Sequence, residues 1–101
     1  MDNVRIDEID ILPLAPKKGR IASVSFVLNS MFKITNVSIY TRPNGDFRLV
    51  YPTKMLPNGQ EEACFKPITR EAAAALNEAL IGAFKLFVMD KAIEDDFREN
   101  S

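Results

Sequence analysis

One long apolar segment near the C-terminus constrains the fold of this chain more than any other feature. Thr69 carries a hydroxyl that suits a helix N-cap, and Glu71 lies where the helix dipole favours a negative charge. The spacing of the apolar residues predicts a helix from Arg70 to about Lys91. Its main apolar stripe, which would cover a sheet, consists of Ala72, Leu76, Ala79, Leu80, Ala83, Phe84 and Phe87.

The apolar surface of this predicted helix extends well beyond that stripe. It also includes Ala73, Ala75, Ile81, Leu86 and Val88. Only Glu71, Glu78 and Lys85 then form a clearly polar ridge. A contiguous exposed apolar patch is uncommon on a small monomer. We therefore expect a second copy of the chain to cover the far side of the helix, which makes the protein a homodimer.

Before the helix, alternating apolar and polar residues predict an antiparallel sheet of about five strands. The predicted strands span residues 4–12, 21–28, 32–40, 47–51 and 63–65. Slips in the alternation predict irregularities near Asp7-Glu8 and Thr35-Asn36, and the segment from Pro13 through Pro16 to Gly19 predicts a long loop. The expected fold is a single α+β domain over residues 1–101, with one long C-terminal helix packed on the sheet.

The residue types argue against several classes of chemistry. The chain has no histidine and one cysteine, so neither a hydrolase triad nor a structural zinc site is expected. We expect no enzymatic activity, no cofactor, no metal and no small-molecule substrate. Cys64 lies between Ala63 and Phe65 on a predicted strand, which predicts a small, buried and unreactive side chain.

The apolar residues are also not arranged as a membrane span or a secretory signal. No run approaches about 18 consecutive apolar residues, and the start of the chain lacks a basic stretch followed by an apolar one. We expect a cytoplasmic protein without membrane contact.

Basic residues are unevenly distributed, although the formal net charge is only -1. Lys17, Lys18 and Arg20 form one group, and the later group comprises Arg42, Arg48, Lys54, Lys66 and Arg70. If Lys54, Lys66 and Arg70 lie around the loop into the helix, they would share a rim that meets backbone phosphates. The alternative is that each is an ordinary surface cation.

The order of short motifs in the second half of the chain is specific. The segment Phe47-Arg48-Leu49-Val50-Tyr51-Pro52-Thr53-Lys54 is followed by Pro57-Asn58-Gly59 and then by Lys66-Pro67-Ile68. This succession of a strand, a Pro-hydroxyl-Lys corner, a turn and an x-Pro-Ile step resembles the stage V sporulation protein G (SpoVG) family of bacterial regulators. Asn3-Val4-Arg5-Ile6 and Arg20-Ile21-Ala22-Ser23-Val24-Ser25-Phe26 resemble the first two strands of that family, and the similarity extends from about Val4 to about Leu86.

The resemblance implies a dimeric, non-enzymatic regulator, linked to sporulation and septation, that binds DNA and, in some members, RNA. Taken together with the distribution of basic residues, the resemblance predicts six nucleic-acid-binding residues: Lys54, Lys66, Arg70, Arg48, Lys17 and Lys18. Two positions depart from the family pattern: Met55 replaces a second basic residue beside the corner, and Lys66 replaces the His of His-Pro-Ile. The competing hypothesis is a protein-interaction or scaffold module on the same fold with little affinity for nucleic acid.

Overall fold

Six strands and one long helix follow each other along the chain. The computed structural model describes residues 4–99, with side chains to residue 91, so Asn3 of the proposed opening strand lies outside the described residues. The elements are β1 (Ile6–Lys17), β2 (Arg20–Leu28), β3 (Phe32–Thr41), β4 (Phe47–Val50), β5 (Thr53–Met55), β6 (Glu61–Ala63), α1 (Arg70–Leu76), a π-helical turn (Asn77–Ile81) and α2 (Gly82–Glu99).

The strands form two antiparallel sheets. The larger sheet has the order β1-β2-β3-β4, so each strand pairs with its neighbour in sequence, and β5 and β6 form a separate pair. The predicted α+β class and the single C-terminal helix are confirmed, with six strands where about five were expected. Hairpin connections explain this order, because short turns join antiparallel neighbours.

The first strand continues through both prolines, so the long loop predicted there is wrong. β1 reaches Lys17, and only Lys18 and Gly19 separate it from β2. Because β1 is an outer strand of the sheet, a proline without an N–H does not have to interrupt a ladder of hydrogen bonds. A register shift between Pro13 and Lys17 absorbs the extra residues of β1.

Both predicted irregularities in the strands are confirmed. The register of β1 against β2 shifts between Asp7 and Asp10. On β3 the extra residue lies between Ile34 and Val37, where Asn36 has a φ of 64°. Asparagine tolerates this left-handed conformation better than most residues. The bulge lets Ile34 and Val37 both face the core although they differ in parity.

Eight buried apolar side chains form the core between the inner face of the larger sheet and the helix. They are Ala22, Val24, Phe26, Val37, Ile39, Leu76, Leu80 and Phe84. The rings of Phe47 and Phe84 meet edge to face, with centroids 5.2 Å apart, and connect β4 to α2. Phe65 lies against both Phe26 and Tyr51, and burial raises the pKa of Tyr51 above its ordinary value of 10.0.

The predicted fifth strand is displaced, and the predicted burial of Cys64 is wrong. Strand β6 ends at Ala63 and pairs with β5, and the Cys64 side chain is exposed. The Cys64 N–H donates to the Pro52 carbonyl at 2.8 Å, while the next side chain, Phe65, packs against the core. Cys64 and Phe65 lie in a bend after β6, and the larger apolar side chain, that of Phe65, takes the inner position.

The helix begins where the sequence predicts and ends later. Thr69 Oγ1 accepts a hydrogen bond from the Ala72 N–H at 3.1 Å, which confirms the N-cap. The π-helical turn interrupts the α-helical pattern, and α2 then continues to Glu99 rather than ending near Lys91. Leu76, Leu80 and Phe84 are buried on the sheet, which confirms the centre of the predicted stripe.

The far side of the helix remains strongly apolar and exposed. Leu86 is 62% exposed and Met89 is 57% exposed on this side, whereas Val88, which is 45% exposed, lies one turn after Phe84 on the sheet-facing stripe. From Arg70 to Lys91 the helix has 22 residues, and an 18-residue window within it has a mean hydropathy of 1.5, so by length and composition alone it could cross a membrane. A helix in the core of a soluble protein meets the same two criteria.

Truncation of Phe84 tests the contact between helix and sheet. Phe84→Ala removes a ring that is 5% exposed and should lower the free energy of unfolding by about 3–5 kcal/mol. Urea denaturation measures this change. Lys85→Ala, at the neighbouring exposed position, is the control and should change the stability by less than about 0.5 kcal/mol. Equal effects of the two substitutions would contradict the packing described here.

Candidate functional site

Three cations and one aromatic residue form a row across one end of the larger sheet. Lys17 on β1 lies opposite Arg20 on β2. Arg20 lies opposite Tyr40 on β3, which lies opposite Arg48 on β4. Opposed residues in antiparallel strands have Cβ atoms about 4.5–5.5 Å apart. We call these four residues the basic row.

The basic row lies on the face of the sheet that points away from the helix. Ile39 and Leu49 are paired with each other and pack in or against the core. Tyr40 and Arg48 are the next pair along the same two strands. Because successive side chains of a strand point to opposite faces, Tyr40 and Arg48 project from the outer face.

Two contacts hold side chains of the row in place. Arg20 Nε donates a hydrogen bond to Ser38 Oγ at 2.9 Å, and Ser38 is only 9% exposed. The guanidinium carbon of Arg48 lies over the Tyr40 ring, 5.3 Å from its centroid, which is a cation-π distance. Side chains that are already ordered lose less entropy when a ligand binds.

A tight turn adds a further cation beside the row. Lys18 and Gly19 have φ angles of 53° and 89°, as a two-residue type I′ turn requires. The Gly19 carbonyl accepts a hydrogen bond from the Thr41 N–H at 2.8 Å, which ties the turn to β3. A Cβ atom at Gly19 would lie 3.6 Å from Cδ2 of Tyr40, so the turn passes close to that ring.

Clefts border the row on two sides. On the β1-β2 side, a cleft of about 370 Å³ is lined by Leu14, Ala15, Lys17, Lys18, Arg20 and Tyr40. We call it the hairpin cleft. On the β4 side, a shallower depression is lined by Arg42, Pro43, Asn44 and Arg48. The row therefore joins two basic depressions across the end of the sheet.

Acidic side chains form no ion pair with the row within the described part of the chain, although Asp46 and Glu78 line a cleft together with Arg48. The ion pairs there are Arg5–Asp7, at 2.8 Å, and Lys33–Asp10, at 3.9 Å, and neither includes a residue of the row. Like charges directly opposite each other, as at Lys17 and Arg20, destabilise a sheet. A bound anion would relieve this repulsion.

Groups that could hold a metal ion are absent from the described residues. No three His, Cys, Asp or Glu side chains in that part of the chain come together as such a group. The chemistry available at the row is therefore that of cations, one phenol ring and backbone groups.

The structure brings together half of the predicted nucleic-acid-binding residues. Lys17, Lys18 and Arg48 lie at one end of the larger sheet, together with Arg20 and Arg42. The two basic groups seen in the sequence thus merge in part, because the β1-β2 and β3-β4 hairpins turn at the same end of the sheet. Tyr40 was not among the predicted site residues, although its place at the end of the third strand, next to a turn, was a usable signal.

The other three predicted residues lie elsewhere. Lys54 on β5 is opposite Glu62 on β6, so a negative charge faces it across the strands. Lys66 borders an apolar cleft of about 220 Å³ that includes neither Lys54 nor Arg70 among its lining residues. Arg70 is the first residue of α1. The common rim of these three residues stays a prediction.

The comparisons with known proteins identify no family for this chain. No protein-family model matches its sequence, and no curated protein matches it.

Alanine substitution at two glycines tests the turn beside Tyr40. Gly19→Ala should lower the free energy of unfolding by about 1–2 kcal/mol, because φ at this position is 89° and an L-residue is strained there. Gly82→Ala is the control. Gly82 has helical backbone angles and open space where an alanine Cβ would lie, so this substitution should raise the free energy of unfolding by about 0.4–1 kcal/mol. Urea denaturation measures both values. A stabilising Gly19→Ala would contradict the turn.

Proposed function

We propose that this protein is a SpoVG-like, non-enzymatic regulator that binds nucleic acid, DNA and also RNA, through the basic row. The observation that carries this proposal is the alignment of Lys17, Arg20, Tyr40 and Arg48 across all four strands on the face that points away from the helix. We place the protein in the cytoplasm, where nucleic acid is accessible in a bacterial cell.

Local charge supports this function despite a formal net charge of -1. Lys and Arg side chains that neutralise phosphates release condensed counterions, which provides most of the sequence-independent affinity. Five cations, Lys17, Lys18, Arg20, Arg42 and Arg48, lie near one sheet end and outnumber Asp46 and Glu78, which line a cleft beside Arg42 and Arg48. Phosphates would therefore be attracted to one end of the sheet.

The resemblance to the SpoVG family supports the same class of ligand by a different route. The family's basic residues lie around a corner that corresponds to Pro52, Thr53 and Lys54, and Met55 stands in place of one of them. Met55 is 66% exposed and lies opposite Glu61 on β6, so this corner is less basic than the family pattern implies. The basic row offers the cations that the corner lacks.

We also propose that two copies associate through the exposed side of the helix. Leu86 and Met89, three residues apart on the side of the helix opposite Phe84, are apolar and are exposed to water in a single chain. Removing such a surface from water favours association by roughly 25 cal/mol per Å². A dimer would carry two basic rows, and two linked sites bind a polymer more tightly than one.

The second candidate function is a protein-interaction module. The same exposed Leu86 and Met89 favour it, because an apolar helix face can dock on another protein as well as on a second copy. On this hypothesis nucleic acid binds weakly or not at all, which the following experiment decides.

Two matched triple variants test where nucleic acid binds. The first variant combines Lys17→Ala, Arg20→Ala and Arg48→Ala. It should weaken binding to all sequences alike. It should also reduce the slope of log affinity against log salt concentration by about three units, because each phosphate contact contributes about one. The second variant combines Lys54→Ala, Lys66→Ala and Arg70→Ala. It removes the same charge and should reduce the affinity and its salt dependence less. Fluorescence anisotropy with labelled oligonucleotides at several salt concentrations measures both.

The outcomes separate the two functions. A larger loss in the second triple variant would move the site to the corner and the helix start. Unmeasurable binding by the parent protein would favour the interaction module.

Light scattering at micromolar concentration tests the homodimer. We expect about twice the chain mass of 11.4 kDa for the parent, and a monomer for Leu86→Glu, because a charge would be buried in the interface. Leu12→Glu is the matched control, since Leu12 on β1 is also 62% exposed, and it should remain dimeric. A monomeric parent contradicts the dimer, and dissociation by Leu12→Glu alone would place the interface on the sheet.

A further inference from the structure

The hairpin cleft and Tyr40 together have the features of a site for one unstacked base. Building on the proposed function, we propose that the ligand is single-stranded nucleic acid, one base of which lies against Tyr40 in the hairpin cleft. Lys17, Lys18 and Arg20 at the rim of the same cleft would meet the phosphates on either side of that base.

The position of Tyr40 is the first argument. Tyr40 is flanked across the strands by Arg20 on one side and Arg48 on the other. Arg48 covers the ring on the β4 side, whereas the hairpin cleft reaches Tyr40 from the β1-β2 side. Aromatic side chains on a sheet surface bind single strands by stacking, because every base has a flat face.

The lining of the cleft is the second argument. Leu14 and Ala15 provide apolar surface, Tyr40 provides an aromatic ring, and the charged groups lie on lysine and arginine side chains. A base needs a flat apolar contact, and its two phosphates need cations a few ångströms away. The lining residues include no Asn, Gln, Asp or Glu, which are the side chains that pair with the edges of adenine and cytosine, so we expect no selection for those two bases.

The tethered turn is the third argument, and it disfavours a duplex as the ligand. A duplex keeps its bases stacked, so a protein reads it with a helix or a two-stranded ribbon inserted into a groove. The β1-β2 hairpin is the nearest ribbon, but the Thr41 N–H to Gly19 carbonyl bond of 2.8 Å fixes its turn to β3. The hairpin end is thus part of the sheet rather than a free arm.

Intrinsic fluorescence provides a direct test, because the chain has two tyrosines and no tryptophan. In Tyr51→Phe, Tyr40 is the only tyrosine, and the half-buried ring at position 51 is retained. Titration with a 12-nucleotide oligo(dT) or oligo(U) should quench this fluorescence with the midpoint seen by anisotropy. A mixed-sequence 12-base-pair duplex should bind at least ten-fold more weakly and leave the fluorescence unchanged.

Substitutions at Tyr40 separate stacking from charge. Tyr40→Leu should weaken single-strand binding by about 5- to 150-fold, the range for loss of one stacked base, without changing the salt slope. Tyr40→Phe keeps the ring and should bind like the parent, and thermal unfolding checks that each variant is folded. If Tyr40→Leu does not fold, quenching in Tyr51→Phe and the affinity of Tyr40→Phe still decide the question.

The results distinguish this inference from the function on which it rests. Two results would overturn base stacking and leave phosphate binding by the row intact. One is salt-dependent binding that does not quench the fluorescence of Tyr40. The other is full affinity in a folded Tyr40→Leu variant. Preference for the duplex would overturn the single-strand ligand. Absence of binding to all three oligonucleotides would overturn both the inference and the proposed function.

Discussion

The packing of one apolar helix stripe on the inner face of the sheet determines most of the other features of this structure. Leu76, Leu80 and Phe84 can be buried only if the strands present their apolar residues in phase. The bulge at Asn36 keeps Ile34 and Val37 in phase on β3. The register that fills the core also fixes the outer face, because the side chains of a strand alternate between the two faces. The basic row is therefore aligned by contacts made on the opposite side of the sheet.

Several elements could be read from the sequence because their signals are local. Thr69 marked the start of the helix through its capping hydroxyl, and the period-two pattern marked β2 and β3. The slip at Asn36 was visible as a change of parity among apolar residues within β3. In each case the deciding contacts involve residues close together in the chain or a single buried face.

The errors arose where the position of a segment in the sheet outweighs its local pattern. Pro13 and Pro16 indicated a loop, yet an outer strand accommodates residues that lack an N–H. Cys64 was expected to be buried, but Phe65 took the inner position next to it. The basic row was missed for a related reason: Arg20, Tyr40 and Arg48 become neighbours only through the exact pairing of three strands. Composition and spacing carry no information about that pairing until the turns and bulges are known.

The prolines of β1 have a consequence for how copies of this protein can meet. An outer strand normally presents a line of N–H and C=O groups that another chain can extend into a longer sheet, which is the first step of fibrous aggregation. Pro13 and Pro16 have no N–H to donate to an added chain, and the register beside them is irregular. Open-ended growth of sheets along this edge is therefore disfavoured. In the proposed dimer the helix face pairs two copies and closes the assembly.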